Sequence, residues 1–371
     1  MEPGRTSPSS QLFVTERRQP LRLARVGSPS SEPANPTQTA ARPKFAARHE
    51  DFAAAPHSWY YLGAVADLAR GPQRVELPNG QAFAAFRTAG GRLGVLSARC
   101  CHMGTDLARG TVVGERLACP LHGWEFACDG RCERIPITPD IPAFARQIGY
   151  PVAEHAGHAF FFNQPEARFP LPFFDGMTPA ELHAARAFDL EGDVPWYFVG
   201  ANGFDVQHFL NAHDRVMCGE PVVDSPWPFA RRITVPFTVS GDSLPDRLTR
   251  LFSGDRVTMS ITVWCGTLVL VTARFQRTTT YGMMTVRPLP NQRTLAQVVI
   301  WVRRSDGPAG RRLVDPLNAW IRRLFIRKFL ASDVERMSGV RLNPHRLLEV
   351  DVPFGQYLDW LHQVQLAPPH P

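Results

Sequence analysis

The sequence predicts an α+β chain: a small antiparallel β domain carrying two metal-ligand loops, then a larger antiparallel sheet covered by helices. Three observations predict it. Cysteine and histidine occur as a C-x-H half, Cys100 and His102, and a C-x-x-H half, Cys119 and His122, with sixteen residues between the halves. β-Branched runs recur between residues 257 and 302. Those strands are bracketed by a segment with two histidines and by a distant acidic helix.

Residues 1–48 are rich in Ser, Pro, Arg and Ala without hydrophobic periodicity, as in Ser7-Pro8-Ser9-Ser10, and are expected to be disordered. Residues 49–168 are expected to form the first domain. Gly104, Gly110, Gly114, Pro120 and Gly123 place the ligand positions in loops, between short strands such as Ala82–Phe86, Leu93–Leu96 and Phe160–Phe162. A Pro/Phe-rich link, Phe169-Pro170-Leu171-Pro172-Phe173-Phe174, opens the second domain, 169–371. There Val257–Trp264, Thr267–Val271 and Ala296–Val302 read as strands, Pro316–Ser332 as a helix with a basic face, and Gln356–Leu361 as a short closing helix. Trp227, Phe229, Phe237, Phe252 and Trp264 can line a pocket, although core packing is the simpler reading for such aromatics.

Each ligand half mixes one thiolate with one imidazole. A [2Fe–2S] centre of the Rieske kind needs two Cys on one iron and two His on the other. Structural zinc also takes two of each, but in sites where like ligands are grouped. The mixed halves therefore favour the cluster. Cys128 and Cys132 flank an Asp129-Gly130 turn and read as a strand pair rather than ligands.

The run Cys119-Pro120-Leu121-His122-Gly123-Trp124-Glu125-Phe126, with Asp129-Gly130 and Ile135-Pro136, resembles the cluster segment of Rieske-type non-haem iron oxygenases. The resemblance implies that Cys100 and Cys119 bind one iron and His102 and His122 the other. Respiratory Rieske proteins carry a disulfide between the loops, at positions held here by Thr105 and Leu121, so the oxygenase type fits better. Cys101 departs from the family pattern and reads as a small buried residue.

Asn202-Gly203-Phe204-Asp205-Val206-Gln207-His208, ending at His213, resembles the iron-binding stretch of the same oxygenases. His213 lies about 140° round an ideal helix from His208, so the two reach one metal only if the helix ends or bends between them. The resemblance implies His208 and His213 as ligands of a mononuclear Fe(II), with Asp333 as the carboxylate and Glu335 as the fallback. Ser332 stands where the family usually has Glu. Asp205 is implied as a catalytic bridge, hydrogen-bonded to His208 and, across a subunit boundary, to a cluster histidine of a neighbouring chain; a homotrimer is the expected assembly. The second domain is then a helix-grip-like iron domain. The implied activity is that of a terminal oxygenase using O₂ and NAD(P)H electrons, received from a ferredoxin or ferredoxin reductase, to hydroxylate, demethylate or N-oxygenate a small organic substrate. Within the family, Gln207-His208 and the 324–344 region look most like single-subunit-type monooxygenases of natural products or aromatic amines, such as aminopyrrolnitrin oxygenase. The alternatives are a ring-hydroxylating dioxygenase and a Rieske electron carrier or binding protein lacking catalytic iron.

Composition narrows the setting. A chain of 371 residues exceeds one cluster domain. Seven cysteines without a secreted framework fit a reducing, cytoplasmic compartment. No apolar run approaches the roughly 18 residues of a membrane helix. The net charge of +7 is almost entirely arginine and is dispersed, which argues against nucleic acid and suits docking of an acidic redox protein. No G-x-G-x-x-G fingerprint is present, and the reductase is expected to be a separate chain.

Overall fold

The computed structural model describes residues 44–213 and 215–366. The expected disorder of residues 1–43 lies outside the described residues.

The first part carries ten strands: β1 (Trp59–Ala64), β2 (Gln73–Glu76), β3 (Ala82–Arg87), β4 (Leu93–Ser97), β5 (Thr111–Val113), β6 (Arg116–Ala118), β7 (Glu125–Phe126), β8 (Cys132–Arg134), β9 (Val152–His155) and β10 (His158–Phe162), with a one-turn helix α1 (Val65–Leu68). They form three small antiparallel sheets, ordered β1-β10-β9, β2-β3-β4 and β5-β6-β7-β8. The apolar run in β3 is explained by burial of both faces. Phe83 and Ala85 enter a core with Tyr60, Val95 and Phe161, while Ala84 and Phe86 enter another with Leu96, Leu107, Leu117 and Phe126. The second of these cores also holds Cys100 and Cys119.

The second part is built on a nine-stranded antiparallel sheet. Its strands are β11 (Leu182–Ala184), β12 (Phe188–Gly192), β13 (Arg215–Met217), β14 (Val222–Trp227), β15 (Ala230–Val239), β16 (Arg256–Trp264), β17 (Leu268–Phe275), β18 (Thr279–Pro288) and β19 (Thr294–Arg303). The order is β11-β19-β18-β17-β16-β15-β13, with β12 also on β19 and β14 also on β15. Helices α2 (Trp196–Ala201), α3 (Val206–His213), α4 (Leu244–Ser253), α5 (Asp315–Arg336) and α6 (Val352–Leu366) complete it.

Period-two alternation gives the long strands two different faces. Ile233, Val235, Phe237, Ile261, Val263 and Val269 pack with residues of α2, α3 and α6. The opposite face, through Leu268, Leu270, Tyr281, Met283 and Trp301, receives Trp59, Tyr61, Phe160 and Phe162 of the first part. The two parts therefore share a core. The sequence-expected strands correspond to β3, β4, β10, β16, β17 and β19, and the two expected helices lie within α5 and α6.

Residues 44–48, expected to belong to the disordered segment, and 49–52, assigned to the first domain, pack on the second part. Asp359 Oδ1 accepts from the amides of Ala46 and Ala47, both at 2.8 Å. Phe52 stacks on Tyr197 with ring centroids 4.4 Å apart. The Ser/Pro composition upstream conceals the point at which apolar anchors resume. Among the described residues, no helix is long and apolar enough to cross a membrane.

Candidate metal centres

The two cysteine–histidine loops are built alike. The Cys100 amide donates to Thr105 O and the Gly104 amide to Cys100 O, both at 2.8 Å. In the second loop the Cys119 amide donates to Trp124 O at 2.8 Å and the Gly123 amide to Cys119 O at 3.0 Å. Gly104 and Gly123 take φ of +75° and +68°, which only glycine adopts without strain. Each turn buries its cysteine and leaves its histidine exposed. The His102 and His122 rings lie 4.7 Å apart, and His102 stacks flat on Trp124 at 4.4 Å. Burial pushes the Cys100 thiol up to about 12, so it stays protonated until a metal displaces the proton.

Cys101 is partly buried against the same core, as expected of a small packing residue. Cys128 and Cys132 flank the turn between β7 and β8, where Gly130 takes φ +85°. All seven cysteines are free thiols.

The second centre is assembled from α3 and α5. Both histidines lie on α3, and their rings nevertheless converge across the five-residue spacing, with centroids 4.8 Å apart. His208 Nε2 and His213 Nε2 lie 3.1 Å apart. Asp333 Oδ1 lies 3.3 Å from the former and 2.9 Å from the latter. Among the described residues, these three form the only set of His, Cys, Asp or Glu whose donor atoms all lie within 4.8 Å of one another. The cysteine–histidine quartet, one thiol and one imidazole from each of two matching turns, is the ligand set of a Rieske two-iron cluster.

Asp333 is only 5% exposed, and its Oδ1 has no directed hydrogen bond despite the two close imidazoles. Burial pushes its carboxyl upward, but the imidazoles more than offset this and hold it below the ordinary value. An ionised, orphaned carboxylate oxygen facing two imidazole nitrogens fits a divalent cation. Two histidines and one carboxylate suit non-haem Fe(II), with positions left open.

Local packing fixes the triad. Phe329 stacks on the His213 ring at 3.9 Å. Phe209, between the two histidines in sequence, packs against Phe237 of β15. Gly192 of β12 lets α5 approach closely, because a Cβ there would meet Val334 Cγ1 at 2.4 Å. Glu335 is exposed, so the geometry brings Asp333 and not the fallback acid to the histidines. Ser332, in the position of the family's usual Glu, bonds Arg336. Asp205 precedes α3, and its Oδ1 accepts from the His208 backbone amide at 3.1 Å. It touches the backbone of His208 rather than its ring. Burial raises its carboxyl above the ordinary value.

A 60 Å³ cavity adjoins Asp333, lined by Leu190, Val199, Asn202, Met284, Leu330 and Met337 among others. None of the five aromatics named from sequence lines it, but Trp227 and Trp264 line a separate cavity of 230 Å³ together with Phe173, Phe174 and Arg232. Phe229, Phe237 and Trp264 are buried in cores, and Trp227 and Phe252 are exposed. The aliphatic residues that do line the Asp333 cavity look like ordinary core in sequence, and only the juxtaposition of β12, α2, β18, β19 and α5 reveals them.

Residues 58–145 match the family described as the Rieske [2Fe-2S] domain. Among characterised proteins, the chain is 34% identical over 201 residues to a 3-ketosteroid-9-alpha-monooxygenase oxygenase component of Rhodococcus rhodochrous, covering 51% of this chain and 48% of that protein. It is 30% identical over 186 residues to cholesterol 7-desaturase nvd 1 of Ciona intestinalis, covering 48% and 40%. The chain thus spans less than half the length of these relatives. Among solved structures, NdmA of Pseudomonas putida CBB5 superposes with TM-score 0.61 at 19% identity over 82% of this chain and 89% of that one. Dicamba monooxygenase superposes with TM-score 0.56 at 16% identity over 84% and 99%. The two-part architecture is therefore the Rieske oxygenase alpha-subunit fold. The chain carries a Rieske [2Fe–2S] domain and a mononuclear iron site at His208, His213 and Asp333.

Proposed function

We propose that this chain is the terminal oxygenase of a Rieske non-haem iron system, acting in a reducing, cytoplasmic compartment on a small apolar organic substrate. One observation carries the reading: a buried His208–His213–Asp333 triad in the same chain as a cluster domain. In this reading Cys100 and Cys119 hold the inner iron of the cluster and His102 and His122 the outer one. When bound, the cluster supplies electrons singly and the mononuclear iron activates O₂ beside the substrate. The electrons originate in NAD(P)H and arrive through a separate ferredoxin or ferredoxin reductase.

The chain's own residues orient and exclude water. The aliphatic cavity beside Asp333 favours a hydrocarbon framework over a charged one. Relatives named for steroid oxidation and sterol desaturation support a rigid ring system. Hydroxylation, demethylation and N-oxygenation of a natural product or aromatic amine remain within this chemistry. His102 and His122 project from the domain tip beside exposed Met103 and Leu121, a surface suited to a neighbouring copy in a homotrimer. Asp205, half-buried at the start of α3, is the proposed link from that neighbour's cluster histidine to His208.

Metal analysis with ¹⁸O₂ labelling tests the reading. About three irons per chain, a Rieske spectrum and ¹⁸O in the product of a steroid or aromatic panel are expected. Two irons without product would make the chain an electron carrier; a colourless zinc protein would overturn both.

A further inference from the structure

The helix α5 buries one side and exposes apolar residues on the opposite one. Its inner side, with Asp315, Ala319 and Asp333, is buried against the sheet. Its outer side, continued by the π-turn Gly310–Val314, presents Leu313, Val314, Leu317, Trp320, Ile321 and Leu324, each between 42% and 72% exposed. These six fall along one stripe at helical spacing, roughly opposite the buried side. Core packing explains the inner side but not the outer one.

The charges around the stripe indicate what covers it. Arg311, Arg312, Arg327 and Lys328 are exposed at its two ends. The one acid between residues 307 and 332 is Asp315, which is 2% exposed and engaged by the amide and hydroxyl of Ser305. An exposed apolar stripe with a tryptophan, framed by cations and free of exposed acids, has the composition of a helix lying in a membrane interface. We infer that α5 docks this protein on an anionic lipid surface.

The position of the stripe gives docking a role, and this part rests on the oxygenase reading. Arg322 of α5 bonds Thr278 Oγ1 in the turn between β17 and β18 and Thr279 O and Thr280 Oγ1 at the start of β18. Arg277 in the same turn bonds Leu251 O and Ser253 O of α4, a helix that also exposes Leu248, Leu251 and Phe252. From this turn the partly exposed Phe275, Ala273, Val271 and Met284 follow one face of the sheet to the cavity at Asp333. An apolar track thus joins the docking surface to the iron site, so the substrate class is a hydrophobic molecule that partitions into membranes.

Sedimentation of the iron-loaded, full-length protein with phosphatidylcholine vesicles, with and without phosphatidylglycerol, tests this. Binding is expected with the anionic vesicles, falling about tenfold in roughly 0.5 M NaCl. The double variant Leu317→Glu, Trp320→Glu should lose about tenfold or more in binding while its Rieske spectrum and iron content stay unchanged. Trp227→Glu, equally exposed but on the other side of the sheet, should bind like the wild type. Wild-type protein that stays in the supernatant with both vesicle types overturns the inference. So does a double variant whose native oligomer dissociates, since the stripe then covers a second copy. Vesicle binding by a protein lacking mononuclear iron would retain the docking and remove the oxygenase reading, so the two fail separately.

Discussion

The cluster loops and the iron triad solve one problem, holding iron with protein side chains, by opposite means. The cluster site is local: two turns of matching hydrogen-bond pattern, each fixed by a left-handed glycine, place four donors within 23 residues of sequence. The histidines stay exposed and the thiols go inside. The triad is remote: His208 and His213 come from α3, and Asp333 arrives on α5 some 120 residues later. Its donors are mostly buried, and beyond the two imidazoles its carboxylate meets only the Arg336 guanidinium, at 3.9 Å. A local site is robust because its own turns define it. A remote site depends on every element that sets the distance between α3 and α5.

The largest effect therefore comes from removing the remote ligand. Asp333→Ala should abolish turnover and strip the mononuclear iron while leaving the cluster spectrum intact, checked by metal analysis beside visible absorbance. Loss of both metals would mean that the two sites are not structurally independent. Asp205→Asn probes the link between them. The Asn side-chain oxygen can still accept from the His208 amide, so α3 should remain capped. Only the carboxylate charge is lost. Both metals should stay filled while turnover falls about 100-fold, the scale for removing a carboxylate that supports a metal-bound histidine. Retained turnover would leave Asp205 as a helix cap alone.

This contrast also explains what the sequence disclosed. Cys100, His102, Cys119 and His122 are legible because their spacing is the site. His208 and His213 are legible as a pair, although their five-residue separation looked incompatible with one helix face and only the structure shows their rings converging. Asp333 and Glu335 stand two residues apart in one helix, and only burial distinguishes them. The Asp333 cavity was illegible because its walls are mostly apolar residues gathered from β12, α2, β18, β19 and α5, most of them outside any motif. The packing of residues 45–52 was illegible for a related reason: Phe45, Ala47 and Phe52 gain their meaning from Gly355, Asp359 and Tyr197, some 145 to 310 residues away.

The junction between the two parts offers a third test. His158 of β10 is buried, with Nδ1 2.9 Å from Tyr61 Oη and its ring beside Trp301 of β19. Burial holds its imidazole down to about 4, against 6.5 ordinarily. Between those values the unfolded chain binds more protons than the folded one, so this residue's contribution to stability is complete above 6.5 and falls as pH drops toward 4. At pH 5 the loss is on the order of 2 kcal/mol, about 30-fold in the folded-to-unfolded ratio. Thermal melts at pH 7.5 and 5 should show this sensitivity, and His158→Gln should flatten it. An unchanged slope in the variant would assign the acid response to other groups.

Gly192→Ala sharpens the contrast without touching a ligand. Its Cβ would meet Val334 Cγ1 at 2.4 Å, directly beside Asp333, so α5 must shift outward. Overpacking of this kind costs roughly 1–3 kcal/mol. Iron affinity should fall about tenfold, the lower end for disturbing the support of a ligand. The cluster loops have no contact with this glycine, and their spectrum should not change.

The smallest effect is expected inside the local site. Cys101 stands between Cys100 and His102, close enough to invite mis-ligation, yet it packs partly buried against the cluster-domain core and its thiol is pushed up by burial. If the turns alone select the ligands, Cys101→Ala should leave cluster content and turnover within about twofold, with only a small packing loss. A changed spectrum would show that a third thiol takes part. The local site would then owe its ligand choice to chemistry at the metal as well as to the geometry of its turns.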